Sequence, residues 1–183
     1  MVLAFLLCAC EAEQQFSTKY QCNFVFYANN HLNTNALTIS LNNPGQFVIV
    51  EPKNMNGITH LLLTPNAGNW TKEQTDIAMS TSTIENDRIR YDLMGANNRL
   101  VVGHSNFNGR KAYDGQCPNC LENGTSLSYP LSWAERGQML ECKTCSLKYN
   151  PNADGAPVNG SKNSLRLMEY RIDFNGEKLW VHN

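Results

Sequence analysis

This sequence lacks several features that would assign it to a common functional class. Lysine and arginine number 15 against 16 acidic residues, and a net charge of −1 leaves no electrostatic footprint for nucleic acid or anionic lipid. No apolar run approaches the ~20 residues that a membrane-spanning helix needs. There is also no GxxxxGK[ST] loop, no GxGxxG turn after a strand and no acidic metal loop. The chemistry therefore has to be sought in other residues.

The composition favours a β-rich globular fold. The 183 residues suffice for one domain, or for a small domain with a sub-domain, and a hydrophobic content of 42% is normal for a packed core. Abundant Asn and Gly favour turns between short strands. We predict strands at 23–28, 37–41, 46–51, 58–64, 88–93, 100–104, 165–174 and 177–181. A helix is predicted at 72–79, capped by Thr71 with Gln74 at the capping-box position. Asn175-Gly176 predicts a two-residue type I′ hairpin turn.

The N-terminal segment resembles a bacterial lipobox. Apolar residues fill positions 1–7, and the small Ala9 precedes Cys10, whereas the bulky Leu7 makes Cys8 a poorer match. We therefore expect 1–10 to be a lipoprotein signal-like segment and 11–19 a polar tether. A lipid on Cys10 would then anchor the protein to a membrane of the bacterial cell envelope, on its periplasmic or surface face. The missing basic residue before the apolar run leaves a buried N-terminal strand or helix as the alternative.

Two C-x-x-C pairs, Cys117 with Cys120 and Cys142 with Cys145, are the most informative feature of the chain. Each pair can form a tight turn that directs two thiolates at one point, and two such turns make a tetrahedral all-sulfur metal site. The 21 residues between the pairs lie just outside the roughly 15–20 of zinc ribbons. Exported cysteines often form disulfides. With Cys8 and Cys10 set aside, however, five cysteines remain, and this odd number fits four metal ligands plus one buried thiol, Cys22, better than a set of disulfides.

The C-terminal half resembles a Rieske ferredoxin-type domain. The resemblance rests on the run from Cys142 to Tyr149, the later turns at Gly155 and Gly160, and the terminal hairpin, and it covers roughly the last 85 residues. The chain is also similar to a group of uncharacterised lipoproteins of diderm bacteria with cysteine-only pairs. This resemblance implies an all-β, Rieske-like sandwich or barrel over 20–183. The strand and turn pattern itself predicts that this β base carries an inserted, zinc-ribbon-like cysteine-knuckle sub-domain at about 112–163.

The ligand pattern departs from that of the Rieske family. A Rieske cluster takes one Cys and one His from each loop, whereas Cys120 and Cys145 stand at the histidine positions here. Ser146 replaces the glycine common after the second pair, and Ser161 stands where a proline often occurs. The four histidines all lie outside the two loops: His31, His60, His104 and His182.

Four thiolates leave several metal choices open. Zinc, which we favour, would form a closed structural site. A single iron would make a rubredoxin-like electron carrier, and an all-cysteine [2Fe–2S] cluster would have a lower potential than a Rieske centre. Paired disulfides or reduced thiols are the remaining choices. The polar loop between the pairs buries little apolar surface, so metal ligation could hold it in place.

The sequence supports an enzymatic function less well than it supports a metal site. His104 and Asp114 lie near the cysteines in sequence, but nothing in their spacing defines a hydrolytic triad. A thioredoxin-like site would need a βαβ context, and the surroundings here predict strands and turns. We therefore predict a non-enzymatic lipoprotein domain that serves binding to a protein or ligand the sequence does not identify, with no nucleic-acid partner. Electron transfer is the alternative.

Overall fold

A computed structural model of the chain describes residues 16–79 and 93–183. The lipobox-like segment 1–10 with Cys10, residues 11–15 of the predicted tether, and all but the last residue of the strand predicted at 88–93 lie outside the described residues. Within the described ranges, no helix combines the length and the apolar character that crossing a lipid bilayer requires.

Strands make up most of the regular structure. In the described residues they are Asn23–Tyr27 (β1), Phe47–Met55 (β2), Ile58–Pro65 (β3), Asp76–Ala78 (β4), Leu100–His104 (β5), Arg110–Asp114 (β6), Leu131–Ala134 (β7), Met139–Cys142 (β8), Lys148–Asn150 (β9), Ala156–Pro157 (β10), Glu169–Phe174 (β11) and Lys178–His182 (β12). The α-helices within the same described residues are Ala36–Asn42 (α1), Lys72–Thr75 (α2) and Pro118–Asn123 (α3). Single 3₁₀ turns occupy Ala28–Asn30, Glu135–Gly137 and Pro151–Ala153. The predicted β class is confirmed, whereas a specifically Rieske-like arrangement stays a prediction.

The strands form two antiparallel sheets. The larger sheet has eight strands in the order β1-β12-β11-β6-β5-β2-β3-β4, and the smaller has four in the order β10-β9-β8-β7. The C-terminal hairpin of β11 and β12 lies inside the large sheet, between β6 and β1. The small sheet is formed entirely by the stretch of chain that carries both cysteine pairs.

The central strands of the large sheet are buried on both faces. Phe47, Val48, Ile49 and Val50 open β2 as an unbroken apolar run. Successive side chains of a strand point to opposite faces, so Val48 and Val50 enter one core and Phe47 and Ile49 enter another. The first core also holds residues of α1, β1 and β12. The second core consists of Phe47, Ile49, Val101, Tyr113, Cys117, Cys120, Leu131, Leu140, Cys142, Tyr149 and Leu167.

The strand predicted at 37–41 is wrong, because these residues belong to α1. Apolar and polar residues alternate in this segment, which imitates a strand, but Leu37 and Leu41 are also one helical turn apart. The side-chain oxygen of Asn35 accepts a hydrogen bond from the Thr38 N–H at 2.9 Å and caps the helix. Both leucines are then buried in the first core.

The helix predicted at 72–79 is only one turn long, since β4 follows α2 directly. The Thr71 N–H donates to the Gln74 side chain at 3.0 Å, as the predicted capping box requires. Ile77 of β4 instead lies opposite Leu61 of β3 and is buried there. Pairing with the edge of the large sheet therefore outweighs the local helical preference.

The predicted terminal hairpin is present, but its turn is wider than predicted. A type I′ turn needs positive φ at both Asn175 and Gly176, and of these two only Gly176 has it, at 94°. Phe174 pairs with Leu179, so the turn covers residues 175–178. The Asn175 side chain accepts hydrogen bonds from the two backbone N–H groups that follow Gly176, which shapes this longer turn.

Candidate metal centre

The first cysteine pair lies at the start of α3. Cys117 is the N-cap residue, and Pro118 follows in the first turn, where its missing N–H costs no hydrogen bond. The Leu121 N–H donates to the Cys117 carbonyl at 3.0 Å, which closes the turn. Because Cys120 is one helical turn further on, both thiols lie on the same side of this turn.

The second pair lies between β8 and β9. Cys142 is the last residue of β8, and its carbonyl accepts a hydrogen bond from the Ser146 N–H at 2.8 Å. The Cys142 N–H in turn donates to the Leu147 carbonyl at 2.9 Å, so the chain reverses tightly around Cys145. Ser146 has φ of 59°, in the left-handed region that ordinarily favours glycine. The tight turn thus requires strained backbone at the position where the Rieske resemblance expects a glycine.

The four cysteine sulfurs meet at one point. All four Sγ atoms lie within 4.8 Å of one another. The Sγ–Sγ distance is 3.6 Å between Cys117 and Cys145 and 3.7 Å between Cys120 and Cys142. All four are free cysteines rather than disulfides. A tetrahedral ion with metal–sulfur bonds of about 2.3 Å places its sulfurs about 3.8 Å apart, so the cluster has dimensions that could hold one ion.

Burial and hydrogen bonding act in opposite directions on these thiols. Burial raises the pKa of Cys117 to about 11, and burial also raises the pKa of Cys120. Burial works the same way on Cys142, but backbone N–H groups of Cys145 and Thr144 and the neighbouring thiols outweigh it and lower the pKa. Four thiolates at these distances repel one another, so a fully ionised cluster needs a cation to balance its charge.

A tyrosine hydroxyl supports the first pair. The hydroxyl of Tyr149 lies 3.2 Å from the Cys117 sulfur, and the Asn119 side-chain N–H donates to the same hydroxyl oxygen at 2.8 Å. Asn119 is itself held by the backbone N–H of Leu165 at 3.1 Å. A thiolate can only accept hydrogen bonds, so an ionised Cys117 accepts a hydrogen bond from the Tyr149 hydroxyl. Sequence reasoning missed the contacts of Tyr149 and Asn119 with the first pair, because neither contact is local in the chain.

The residues considered for hydrolysis do not come together. In the register of β5 and β6, His104 lies opposite Arg110 and Asp114 lies opposite Leu100. These are the two ends of the ladder, roughly 13 Å apart at about 3.4 Å per residue. A direct hydrogen bond between His104 and Asp114 is therefore out of reach, and this pair does not form a catalytic dyad.

Asp114 has a structural place between the two cores. Its carboxylate accepts hydrogen bonds from the backbone N–H groups of Ala96 at 2.7 Å and Gln116 at 2.8 Å, and from the Tyr170 hydroxyl at 2.8 Å. Burial raises the pKa of Asp114 to about 6, although the three hydrogen bonds oppose this. Because Gln116 precedes Cys117, the carboxylate anchors the start of the first cysteine loop.

Cys22 is buried in the first core, away from the other cysteines, as predicted. Its thiol lies 3.6 Å from the carbonyl of Val181. Burial raises its pKa to about 12, so Cys22 behaves as a small apolar core residue.

A cleft of about 1030 Å³ borders the first pair through Pro118. Lys111 lines this cleft but is almost fully buried, with its Nζ 3.0 Å from the carboxylates of Asp154 and Glu169. Asp154 follows β9 and Glu169 begins β11, so the two ion pairs of Lys111 join the small sheet to the large one.

Comparison with known proteins returned no family model, no curated protein and no solved structure that matches this chain. The chemistry of the centre therefore rests on its own geometry.

Proposed function

We propose that the chain holds a single zinc ion on Cys117, Cys120, Cys142 and Cys145, and that this ion is structural. The supporting observation is the size of the cluster, whose sulfur separations of 3.6 and 3.7 Å approach the tetrahedral value of about 3.8 Å. Four thiolates complete a tetrahedral shell and leave no open position for water or substrate. The ion would hold the fold rather than take part in a reaction.

The compactness of the cluster favours one ion over an all-cysteine [2Fe–2S] centre. Such a centre places each cysteine pair on its own iron, with bridging sulfides between the two irons. The two pairs would then have to stand apart. Here Cys117 of the first pair lies 3.6 Å from Cys145 of the second, and no sulfur is more than 4.8 Å from another.

The small sheet is the element that such an ion would stabilise. Its four strands have only four, four, three and two residues. A sheet of this size has little independent stability in water, so it depends on packing or metal ligation. Three of the four cysteines lie in the second core, directly between this sheet and the large one.

A rubredoxin-like single iron is the second candidate, and the position of Cys145 favours it. Cys145 is exposed, so an iron bound there would have an edge open to a redox partner. The Tyr149 hydroxyl against the Cys117 sulfur would tune the potential of such a centre. Both candidates use the same four ligands.

The proposed role of the domain is binding or interaction on the bacterial cell envelope, anchored by a lipid on Cys10. The lipobox-like pattern at 1–10 supports the anchor, and the engagement of all four paired cysteines in one cluster supports a non-enzymatic role. We also propose a cysteine-only variant of the Rieske-type domain. Two cysteine loops beside one small sheet, with Tyr149 against a ligand sulfur, support this relationship.

The test is elemental analysis with a visible spectrum, on native protein purified from its host's membrane fraction without chelator. One zinc per chain and no visible band are expected. Iron with a reversible visible band would make the protein an electron carrier. Absence of metal together with a thiol titration near zero would show disulfides and overturn both candidates. Mass spectrometry of the N-terminal peptide tests separately for a lipid on Cys10.

A further inference from the structure

We propose that Cys145 is the oxidation-sensitive thiolate of the cluster and that hydroperoxides convert it to a disulfide with Cys117. The inference rests on the proposed metal site and adds a modification site to it. It follows from differences among the four sulfurs in exposure, hydrogen bonding and distance.

Exposure singles out Cys145. Cys117 and Cys142 are fully buried and Cys120 is 9% exposed, whereas Cys145 is exposed. A peroxide has to reach a thiolate from solvent, and oxidation follows thiolate character together with access. Cys145 is therefore the sulfur of this cluster that a dissolved oxidant meets first.

Hydrogen bonding points to the same residue. The Tyr149 hydroxyl lies 3.2 Å from the Cys117 sulfur and can donate to it. Such a donor withdraws charge from a thiolate and reduces its nucleophilicity. The Cys117 sulfur is thus shielded both by the core and by this hydrogen bond.

The second step needs a neighbouring thiolate, and the Cys117 sulfur lies 3.6 Å from that of Cys145. In the first step the Cys145 thiolate attacks the terminal OH oxygen of the hydroperoxide and the O–O bond breaks. A sulfenic acid forms, and the other oxygen leaves as hydroxide from hydrogen peroxide or as alkoxide from an alkyl hydroperoxide. In the second step the Cys117 thiolate attacks the Cys145 sulfur. An S–S bond forms, and the displaced hydroxide takes up a proton to become water.

Two electrons pass from the two sulfurs to the hydroperoxide, which is the oxidant. The sulfurs close to about 2.05 Å in the disulfide, which a local shift of the exposed turn can provide. Loss of two thiolate ligands at once releases the bound ion. The product links one cysteine loop to the other, rather than closing either C-x-x-C pair on itself.

Tryptic digestion can identify which two cysteines form the disulfide, because the cleavage sites separate the cluster into three peptides. Cleavage after Lys111, Arg136, Lys143 and Lys148 yields peptides 112–136, 137–143 and 144–148. These peptides carry Cys117 with Cys120, Cys142 alone and Cys145 alone. Metal-loaded full chain is treated with limiting hydrogen peroxide, its remaining thiols are blocked, and it is digested under denaturing conditions without reductant. A dimedone-treated sample traps the sulfenic acid.

The first disulfide is expected to join 112–136 to 144–148, with dimedone on Cys145. Fragmentation before Pro118 assigns the link to Cys117 rather than Cys120. A chromogenic chelator should detect one metal ion released per cross-link. A first link between 137–143 and 144–148, or between Cys120 and Cys142, would overturn the inference.

Cys22→Ser is the matched control, because Cys22 is a buried thiol outside the cluster. This variant should be oxidised and should release metal at the wild-type rate. Failure of the inference is distinguishable from failure of the proposed function. A chain that holds zinc but forms another first link contradicts only the inference, whereas a chain without metal whose Cys145 still reacts first contradicts only the metal proposal.

Discussion

The first core and the second core lie on opposite faces of the same large sheet, yet they differ in residue composition. Phe24, Leu37 and Val50 are typical of the first core, which gathers apolar side chains from α1 and strands across the large sheet. The second core holds eleven buried residues, and three of them are cysteines of the cluster. Burial of apolar surface contributes roughly 25 cal/mol per Å², so a large apolar core is stable by itself. With the proposed zinc ion in place, the second core would obtain part of its stability from metal ligation.

The largest expected effect is that of Cys142→Ser, which removes a buried ligand from the second core. Zinc ligation contributes roughly 10 kcal/mol or more to the folding free energy of small metal-dependent domains. Loss of one ligand should therefore destabilise the small sheet by more than about 5 kcal/mol. Hydrogen exchange should show the small sheet unprotected and the large sheet still protected. Cys22→Ser, the equivalent change in the first core, should leave the small sheet intact.

Leu37→Ala tests the first core in the same way. The cavity that it leaves in this apolar core should lower the free energy of unfolding by about 2–5 kcal/mol, whether or not chelator is present. Unfolding by denaturant, with and without chelator, measures this. If chelator changed the cost of Leu37→Ala, or if Cys142→Ser left the small sheet protected, the two cores would not differ as described.

Asp114 lies between the two cores, and its raised pKa leads us to expect that the free energy of unfolding depends on pH. Its folded pKa of about 6 lies above the ordinary value of 3.8, so the native state binds the proton more tightly than the unfolded chain. The stability from this group is fully present below pH 3.8 and is lost as pH rises through about 6. The free energy of unfolding should fall by about 3 kcal/mol, because folding raises this pKa from 3.8 to about 6.

Asp114→Asn isolates this effect, because asparagine does not titrate. The free energy of unfolding of wild type minus that of the variant should fall between pH 4 and 6 and then level off. Taking the difference cancels the pH dependence of metal binding, which both proteins share. A difference that stays flat across this range would show that Asp114 keeps an ordinary pKa.

Tyr149→Phe should weaken metal binding by about 10–100-fold, the usual effect of losing a hydrogen bond to a ligand. The change removes the hydroxyl that lies 3.2 Å from the Cys117 sulfur. Competition with a chelator of known affinity measures the change. Tyr113→Phe is the control, since the Tyr113 hydroxyl lies in the same core but donates to the Pro151 carbonyl. Equal losses in both variants would argue that packing, not the contact with sulfur, sets the affinity.

The smallest expected effect is an increase in stability. Ser146→Gly should stabilise the protein by about 1 kcal/mol, because glycine adopts the left-handed backbone of the second cysteine turn without strain. Asn56→Gly is a control in the turn between β2 and β3, where φ is 54° and asparagine already tolerates it. Thermal unfolding of both variants tests this, and a loss of stability in Ser146→Gly would mean that the serine side chain contributes to the turn.

Sequence reasoning succeeded where the determining interactions are local. The strands at β2 and β5 and the terminal hairpin were predicted because apolar strand segments and turn residues are read along the chain. It failed at α1, where a period-2 pattern concealed the cap by Asn35, and at β4, where pairing with β3 overrode a helix start. The turn at Asn175 was wrong in type for a similar reason, since the register of β11 and β12 decides it.

Turn chemistry and C-x-x-C spacing operate within a few residues, so they were enough to predict the β class and to single out Cys117, Cys120, Cys142 and Cys145. The folded chain adds that the two pairs meet within 4.8 Å, that Tyr149 reaches Cys117, and that Cys145 alone among the four stays exposed. These features could not be predicted, because contact and exposure depend on which sheet face covers which residue. That arrangement joins positions far apart in the chain.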